Sequence, residues 1–208
     1  MKGVKRGFTL IEMLVVIGII AALTVAGLVT YSNAGEKAMR AHCQELVHDA
    51  ATALAVVMQD GEGCPQVILQ ASRGDHKLSS EVGAELARKG LMSFSYEEVE
   101  DASTGVTTFR LVGSDQCGIL TPWGAAVVNR LAARGSVSTG AKVPTGGTVD
   151  DHIMRFSVDD DEDGRVEAES DGRKVMVRGA SAVWCCGADG QFGTRDDLCS
   201  WAKGQEER

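Results

Sequence analysis

The sequence predicts an α+β protein in which one long N-terminal helix packs on a small antiparallel β-sheet. Three observations lead to this fold class: an apolar segment begins at Phe8, a helical pattern continues without proline until Pro65, and later segments alternate apolar and polar residues. Helices bury residues three or four positions apart, whereas half-buried strands bury every second residue. We therefore expect a long helix over residues 8–60 and a globular head over residues 61–208.

The composition excludes several classes of protein. The chain has 208 residues, of which 44% are hydrophobic and 24% charged, and such values are typical of folded proteins rather than disordered ones. The net charge of −8 argues against direct nucleic-acid binding, because phosphates attract basic surfaces. No Ser-His-Asp order, Gly-rich phosphate loop or His-x-x-Glu-His helix is found, so we do not expect an enzyme.

The first part of the long helix, residues 8–29, has the length and character of a membrane span. Glu12 is its only charged residue. A helix of this length extends about 33 Å, enough to cross a hydrocarbon layer of about 30 Å. The preceding residues 1–7 form a basic leader that would stay on the cytoplasmic side, with Lys2, Lys5 and Arg6. We therefore expect a transmembrane helix with the head outside.

The main alternative is an ordinary secretory signal peptide. Such a peptide would be cut after the apolar stretch, where Ala26-Gly27-Leu28 is a weak cleavage site. It would explain neither Gly7, directly before the stretch, nor Glu12, within it. A carboxylate in hydrocarbon costs about 2.5–3.5 kcal/mol, so Glu12 is expected to have a function.

The order Gly7-Phe8-Thr9-Leu10-Ile11-Glu12 after a short basic leader resembles the processing site of type IV prepilins and type II secretion pseudopilins. The resemblance implies that a prepilin peptidase cuts between Gly7 and Phe8 and that the new amino terminus is N-methylated. It also implies a single-pass protein of the bacterial inner membrane with a periplasmic head. One difference is that the proline many members carry near the end of the apolar run is missing.

Charge pairing explains why Glu12 would matter for assembly. Cleavage would create an ammonium group at Phe8 in apolar surroundings, and a buried charge needs a partner. Glu12 lies one helical turn away, and a neighbouring copy shifted by about one turn would present the same carboxylate. We therefore expect Glu12 to select one stagger between filament subunits, which are further copies of this chain and other pseudopilins.

The remaining elements follow from periodicity. Residues 36–58 continue the helix, with apolar residues at steps of three and four: Met39, Cys43, Leu46, Val47, Ala50, Leu54 and Val57. Residues 81–91 fit a short helix. Alternation predicts strands over residues 107–112, 153–158, 174–178 and 181–185. Three or four of these strands would form one antiparallel sheet covering the apolar stripe.

Residues 186–198 resemble the carboxyl-terminal loop of major pseudopilins, and the resemblance implies a calcium site. Asp189, Asp196 and Asp197 would supply carboxylates, while Gly187, Gly190 and Gly193 would let the backbone turn its carbonyls inward. The alternative is a solvated Gly-Asp turn without an ion.

A second calcium candidate lies in the acidic run before residue 165. Asp159, Asp161, Asp163 and Gly164 fit positions 1, 3, 5 and 6 of an EF-hand loop, but position 12 is Ser170 instead of a bidentate glutamate. Half of the motif is therefore present. The alternative is a solvated hairpin tip.

Six cysteines in an exported head are candidates for disulfides: Cys43, Cys64, Cys117, Cys185, Cys186 and Cys199. They allow about 15 pairings. Cys43 with Cys64 would tie the helix end to its loop, and Cys117 and Cys199 are candidate partners for Cys185 and Cys186, which face opposite sides of a strand. The alternative for Cys43 is a buried free thiol.

Taken together, the resemblance implies a structural subunit of a type II secretion pseudopilus, close to the major pseudopilins. The first alternative is a type IV pilus or competence pilin, which would share the N-terminal signal. The second is a membrane-tethered periplasmic binding module. The acidic carboxyl-terminal loop favours the pseudopilin.

Overall fold

The computed structural model describes residues 9–60, 63–100, 105–170 and 172–201. It confirms the predicted α+β class, with a long helix and small antiparallel sheets. The chain divides into two compact units, one ending at Met39 and the other beginning at Arg40.

Helix α1 comprises Leu10–Gln59, 50 residues without a break. No proline interrupts it, and the Gly63 N–H donates to the Asp60 carbonyl beyond its end at 3.1 Å. In the second unit its buried residues recur at steps of four and three: Cys43, Val47, Ala50, Leu54 and Val57. These five confirm most of the predicted stripe, whereas Met39 remains 39% exposed.

Three shorter helices follow: α2 (Gln66–Arg73), α3 (Ser80–Arg88) and α4 (Pro122–Ala132). Helix α3 was expected, and Ser79 starts it by accepting a hydrogen bond from the Val82 N–H. Helix α4 begins in the same way at Thr121, with a proline at its first position. Helices α2 and α4 were not predicted.

The described residues contain seven strands, which are β1 (Tyr96–Glu100), β2 (Thr107–Leu111), β3 (Arg155–Val158), β4 (Arg165–Ser170), β5 (Arg173–Arg178), β6 (Ser181–Cys185) and β7 (Leu198–Cys199). All pairings are antiparallel. Strands β1 and β2 form one hairpin, β4 and β5 another, and the third sheet has the order β3-β6-β7. The expectation of a single sheet is therefore wrong, and strands β1, β4 and β7 were not predicted.

Successive side chains of strand β6 point to opposite faces and belong to two different hydrophobic clusters. Val183 and Cys185 belong to the main core with the buried residues of α1, whereas Ala182 and Trp184 belong to a smaller cluster with β4 and β5. Polar contacts also join α1 to this region. The Ser181 hydroxyl donates to the Ala51 carbonyl at 2.7 Å, and Gln44 Nε2 donates to the Cys199 carbonyl at 3.1 Å.

Candidate assembly and metal sites

The start of α1 is closed by reciprocal hydrogen bonds between Thr9 and Glu12. The backbone N–H and the hydroxyl of Thr9 both donate to Glu12 Oε2, each at 2.8 Å. The Glu12 N–H donates in return to Thr9 Oγ1 at 3.3 Å. This arrangement is a capping box, which satisfies donors that the first turn otherwise leaves open. This role of Glu12 was not predicted from the sequence, although Thr-x-x-Glu is the signature of a capping box.

The first part of α1 presents an apolar surface on all sides. Each side chain from residue 9 to residue 26 is exposed. The large hydrophobic ones are Leu10, Ile11, Met13, Leu14, Val15, Val16, Ile17, Ile19, Ile20, Leu23 and Val25. Within the described parts of the chain, no helix meets both the length and the hydropathy that a membrane span requires.

The predicted processing site falls outside the described residues. Gly7 and Phe8, like the leader over residues 1–7, precede the first described residue, Thr9. Cleavage between them therefore stays a prediction.

Asp196 organises the acidic loop over residues 186–198. Its Oδ2 accepts hydrogen bonds from the backbone N–H groups of Ala188 at 2.8 Å and Asp189 at 3.2 Å. Its Oδ1 accepts from the Thr194 hydroxyl. Burial raises the pKa of Asp196, but these hydrogen bonds outweigh burial and leave the pKa below its ordinary value. The charged carboxylate is thus the form the loop stabilises.

The other two carboxylates of this loop are also engaged by backbone groups. Asp197 Oδ2 accepts from the Gly193 N–H at 2.7 Å, and Asp189 Oδ1 accepts from the Gln191 N–H at 2.9 Å. Burial raises the pKa of Asp197 above its ordinary value. Asp189, Asp196 and Asp197 do not converge as a metal-binding group in the described structure, where only the Asp159 cluster does. The loop therefore holds its shape through its own hydrogen bonds.

A close backbone approach places the acidic loop against residues 143–152. Gly146 has φ +152°, and a side chain there would collide with the carbonyl oxygen of Asp189. A side chain at Gly187, which has φ +61°, would collide with Asp196. Only glycine combines these conformations with such short distances.

The turn between β3 and β4 brings three carboxylates together. One ligand oxygen from each of Asp159, Asp161 and Asp163 lies within 4.8 Å of the others. Asp159 is buried, whereas the other two are exposed. Asp159 accepts hydrogen bonds from the N–H groups of Asp163 at 3.1 Å and Gly164 at 2.8 Å. Carboxylate oxygens are the ligands that calcium prefers, so these three side chains would supply part of the six to eight oxygens that the ion takes. Ser170 is buried in β4 and adds no carboxylate.

The six cysteines are thiols in the structure. Cys43 Sγ lies 3.2 Å from Cys185 Sγ in the core. Cys186 faces elsewhere: its Sγ lies 3.2 Å from the Asp151 carbonyl and 3.7 Å from His152 Nδ1. The two adjacent cysteines thus have different neighbours, Cys185 at the end of β6 and Cys186 just after it.

The suggested pairing of Cys43 with Cys64 competes with a nearer cysteine. The helix continues from Cys43 to Gln59, and these two residues lie about 24 Å apart along its axis. Cys43 Sγ faces Cys185 Sγ at 3.2 Å, whereas Cys64 follows the far end of the helix. Cys64 is half-buried, and burial raises its pKa to about 11.

His152, one of four histidines in the chain, lies at the centre of a buried polar group. Its Nδ1 is 2.7 Å from Thr121 Oγ1, and its Nε2 is 3.0 Å from the Gly146 carbonyl. Because the carbonyl only accepts, Nε2 carries the proton and Nδ1 accepts from the hydroxyl. Burial lowers the pKa of His152, although Asp151, Asp189 and Asp196 act in the opposite direction. A neutral imidazole therefore ties α4 to the loop near Gly146.

Comparisons with known proteins identify only the beginning of the chain. Residues 3–28 match the model of the prokaryotic N-terminal methylation motif. No curated protein and no solved structure matches the chain. The matched segment contains the predicted processing site, the capping box and most of the exposed apolar helix. The chain therefore begins with the methylation signal of type IV pilin-like prepilins.

Proposed function

We propose that this protein is a structural subunit of a type IV pilin-like filament, nearest to the major pseudopilins of type II secretion. The observation that carries the proposal is the methylation motif at residues 3–28. In this interpretation the chain assembles with further copies of itself and with other pseudopilins, and it catalyses no reaction. A prepilin peptidase processes its N-terminus.

The exposed apolar surface of α1 supports this assignment. A helix that is apolar on all sides is normally covered by lipid or by other protein. In the proposed function lipid covers the helix before assembly, and other subunits cover it in the filament. Residues 8–29 hold the protein in the bacterial inner membrane as a single pass, with the head in the periplasm. On assembly, the same side chains, such as Leu14 and Ile17, pack against neighbouring helices in the filament.

Processing by a prepilin peptidase tests the proposal directly. The full chain is produced in cells with and without the peptidase, and its mass is determined. We expect loss of residues 1–7 and gain of one methyl group only where the peptidase is present. Gly7→Leu should block cleavage, whereas Gly3→Leu, a matched change within the same leader, should permit it. A chain that still begins at Met1, or one cut near residue 28, would contradict the proposal.

We further propose that the head binds calcium. The carboxylates of Asp159, Asp161 and Asp163 support this because their oxygens converge within 4.8 Å. Bound calcium would add positive charge between carboxylates that otherwise repel one another, and would thereby stabilise the turn between β3 and β4. Asp189, Asp196 and Asp197 remain a second candidate site on the strength of their resemblance to the pseudopilin loop.

A further inference from the structure

The main core contains two cysteines that come from distant parts of the chain. Cys43 lies on the buried face of α1, and Cys185 ends β6, 142 positions later. Both side chains have no exposed surface. Their sulphurs are 3.2 Å apart, so a bond of about 2.05 Å requires them to approach by only about 1.2 Å.

The backbone around both cysteines is held in place. Cys43 lies within unbroken helix, and Cys185 pairs with Leu198 in the three-stranded sheet. Near Cys43, Gln44 donates to the Cys199 carbonyl of the adjacent strand β7. These contacts keep the two sulphurs facing each other.

We infer that Cys43 and Cys185 form a disulfide bond in the exported protein, joining α1 covalently to the sheet of the head. The inference rests on the proposed function in one respect: export places the head in a compartment that oxidises thiols. The bond would enclose α2, α3 and α4 in one covalent loop, so a force applied to α1 would reach the sheet through a covalent link.

The chemistry is thiol–disulfide exchange with a donor disulfide. The thiolate of one cysteine attacks one donor sulphur and releases one donor thiol, leaving a mixed disulfide. The thiolate of the other cysteine then attacks the protein sulphur of this mixed disulfide and releases the second donor thiol. The two cysteines lose two protons and two electrons, and the donor disulfide is reduced to two thiols. Because both sulphurs are buried in the folded head, this exchange takes place before the core closes.

Peptide mapping tests the pairing in the purified full chain. The protein is unfolded in detergent, refolded in a mixture of oxidised and reduced glutathione, trapped with an alkylating reagent and digested. Combined cleavage after Arg40, Glu45 and Glu62 separates Cys43 from Cys64. We expect a peptide of residues 41–45 linked to a peptide that contains Cys185. Absence of this linked pair, or linkage of Cys43 to another cysteine, would overturn the inference.

A matched pair of variants identifies the sulphur at the strand end. Cys186→Ser changes the adjacent, equally buried cysteine and should keep the link, whereas Cys185→Ser should abolish it. Refolding in reductant should lower the Tm of the wild type by on the order of 10 °C. It should lower the Tm of Cys186→Ser by a similar amount. If the link is lost in Cys186→Ser and kept in Cys185→Ser, the bond is formed by Cys186 instead of Cys185, and the inference is overturned.

Trapping in the native cells separates this inference from the proposed function. The linked peptide should be found both after glutathione refolding and in rapidly alkylated cells. A link that forms with glutathione but not in cells would contradict the bond in the natural protein and count against export of the head. A chain that is cut after residue 7 but never forms the link would overturn the disulfide alone.

Discussion

Glu12 takes part in two interactions that compete for one carboxylate. In the unprocessed chain it accepts two hydrogen bonds from Thr9 and starts α1. In the proposed filament its charge compensates the new ammonium group of Phe8. The first role needs only a hydrogen-bond acceptor, whereas the second needs a negative charge. Substitutions at Glu12 can therefore separate helix capping from assembly.

We predict that Glu12→Gln and Glu12→Ala both prevent assembly. Only Glu12→Gln tests the charge by itself, because it keeps a hydrogen-bond acceptor at this position. Glutamine keeps an oxygen for the capping box but leaves the ammonium group without a counter-charge, and an uncompensated buried charge costs several kcal/mol. Filament yield, measured in sheared fractions of cells that contain the peptidase, should fall more than about tenfold for both variants. Glu12→Gln filaments at the wild-type level would show that capping alone matters.

His152 makes the stability of the head depend on pH. Burial depresses its pKa in the folded state, so the unfolded chain binds a proton at mildly acidic pH before the folded chain does. The contribution of His152 to stability is therefore present above its unfolded pKa of about 6.5 and is lost as the pH falls towards the folded pKa.

We predict that the Tm of the full chain falls between pH 7.5 and pH 5.5 through this group, by at most about 2–4 °C, the shift that about 1 kcal/mol produces. His152→Gln should have a lower Tm at pH 7.5 and should lose this part of the pH dependence. His42→Gln, a change at an exposed histidine of α1, should retain it. A pH dependence that is the same in all three proteins would contradict the role given to His152.

Among the elements, the turn between β3 and β4 contains carboxylates that close the turn and pair with helix α2. Asp159 closes the turn with two hydrogen bonds to backbone N–H groups, and Asp160 pairs with Arg73 Nε of α2 at 2.6 Å. Asp161 makes no hydrogen bond of this kind in the described structure and is exposed. Asp161 can therefore be changed with little effect on the turn itself.

We predict that calcium raises the Tm of the head and that Asp161→Asn removes most of this shift. At calcium about 100 times above Kd the stabilisation is about 2.7 kcal/mol, a shift of about 5–10 °C for a domain of this size. Asp160→Asn, a matched change in the same turn outside the cluster, should keep the shift. Loss of the shift in Asp196→Asn instead would place the ion in the carboxyl-terminal loop. No shift in the wild type would contradict calcium binding altogether.

At the scale of the whole molecule, an apolar helix and an acidic head are combined in one chain of net charge −8. In the proposed function the helix and the head have different roles. The helix provides the filament core and the membrane anchor, and the head faces the periplasm. The type IV pilus or competence pilin remains the competing assignment, because its precursors carry the same N-terminal signal.

We predict that deletion of the gene stops secretion of periplasmic proteins across the outer membrane, because a pseudopilus without its main subunit does not form. The measurement is the fraction of a secreted enzyme in the culture medium, which should fall at least about tenfold and return when the gene is restored. A Glu12→Gln copy should not restore it. Normal secretion combined with loss of surface filaments or of DNA uptake would favour the pilus instead.

The long helix and several strands were predictable because their signals are local. A stripe such as Cys43, Val47 and Leu54 repeats at the period of a helix, and segments such as residues 174–178 repeat at the period of a strand. Helix α4 was missed because its Gly124 and two adjacent valines have low helix propensity. Strand β1 contains three glutamates and was missed because such residues are rare in strands.

The residues before Thr9, the apolar run and Glu12 can be interpreted from their order alone, because cleavage and insertion into a membrane depend on a contiguous stretch of chain. The approach of Cys43 to Cys185, the burial of His152 and the division of the strands into three sheets cannot be obtained in that way. Each depends on residues far apart in the chain, and their distance is determined by how helices and strands pack in the core. Periodicity indicates which face of an element is buried, but not which distant residue meets it there.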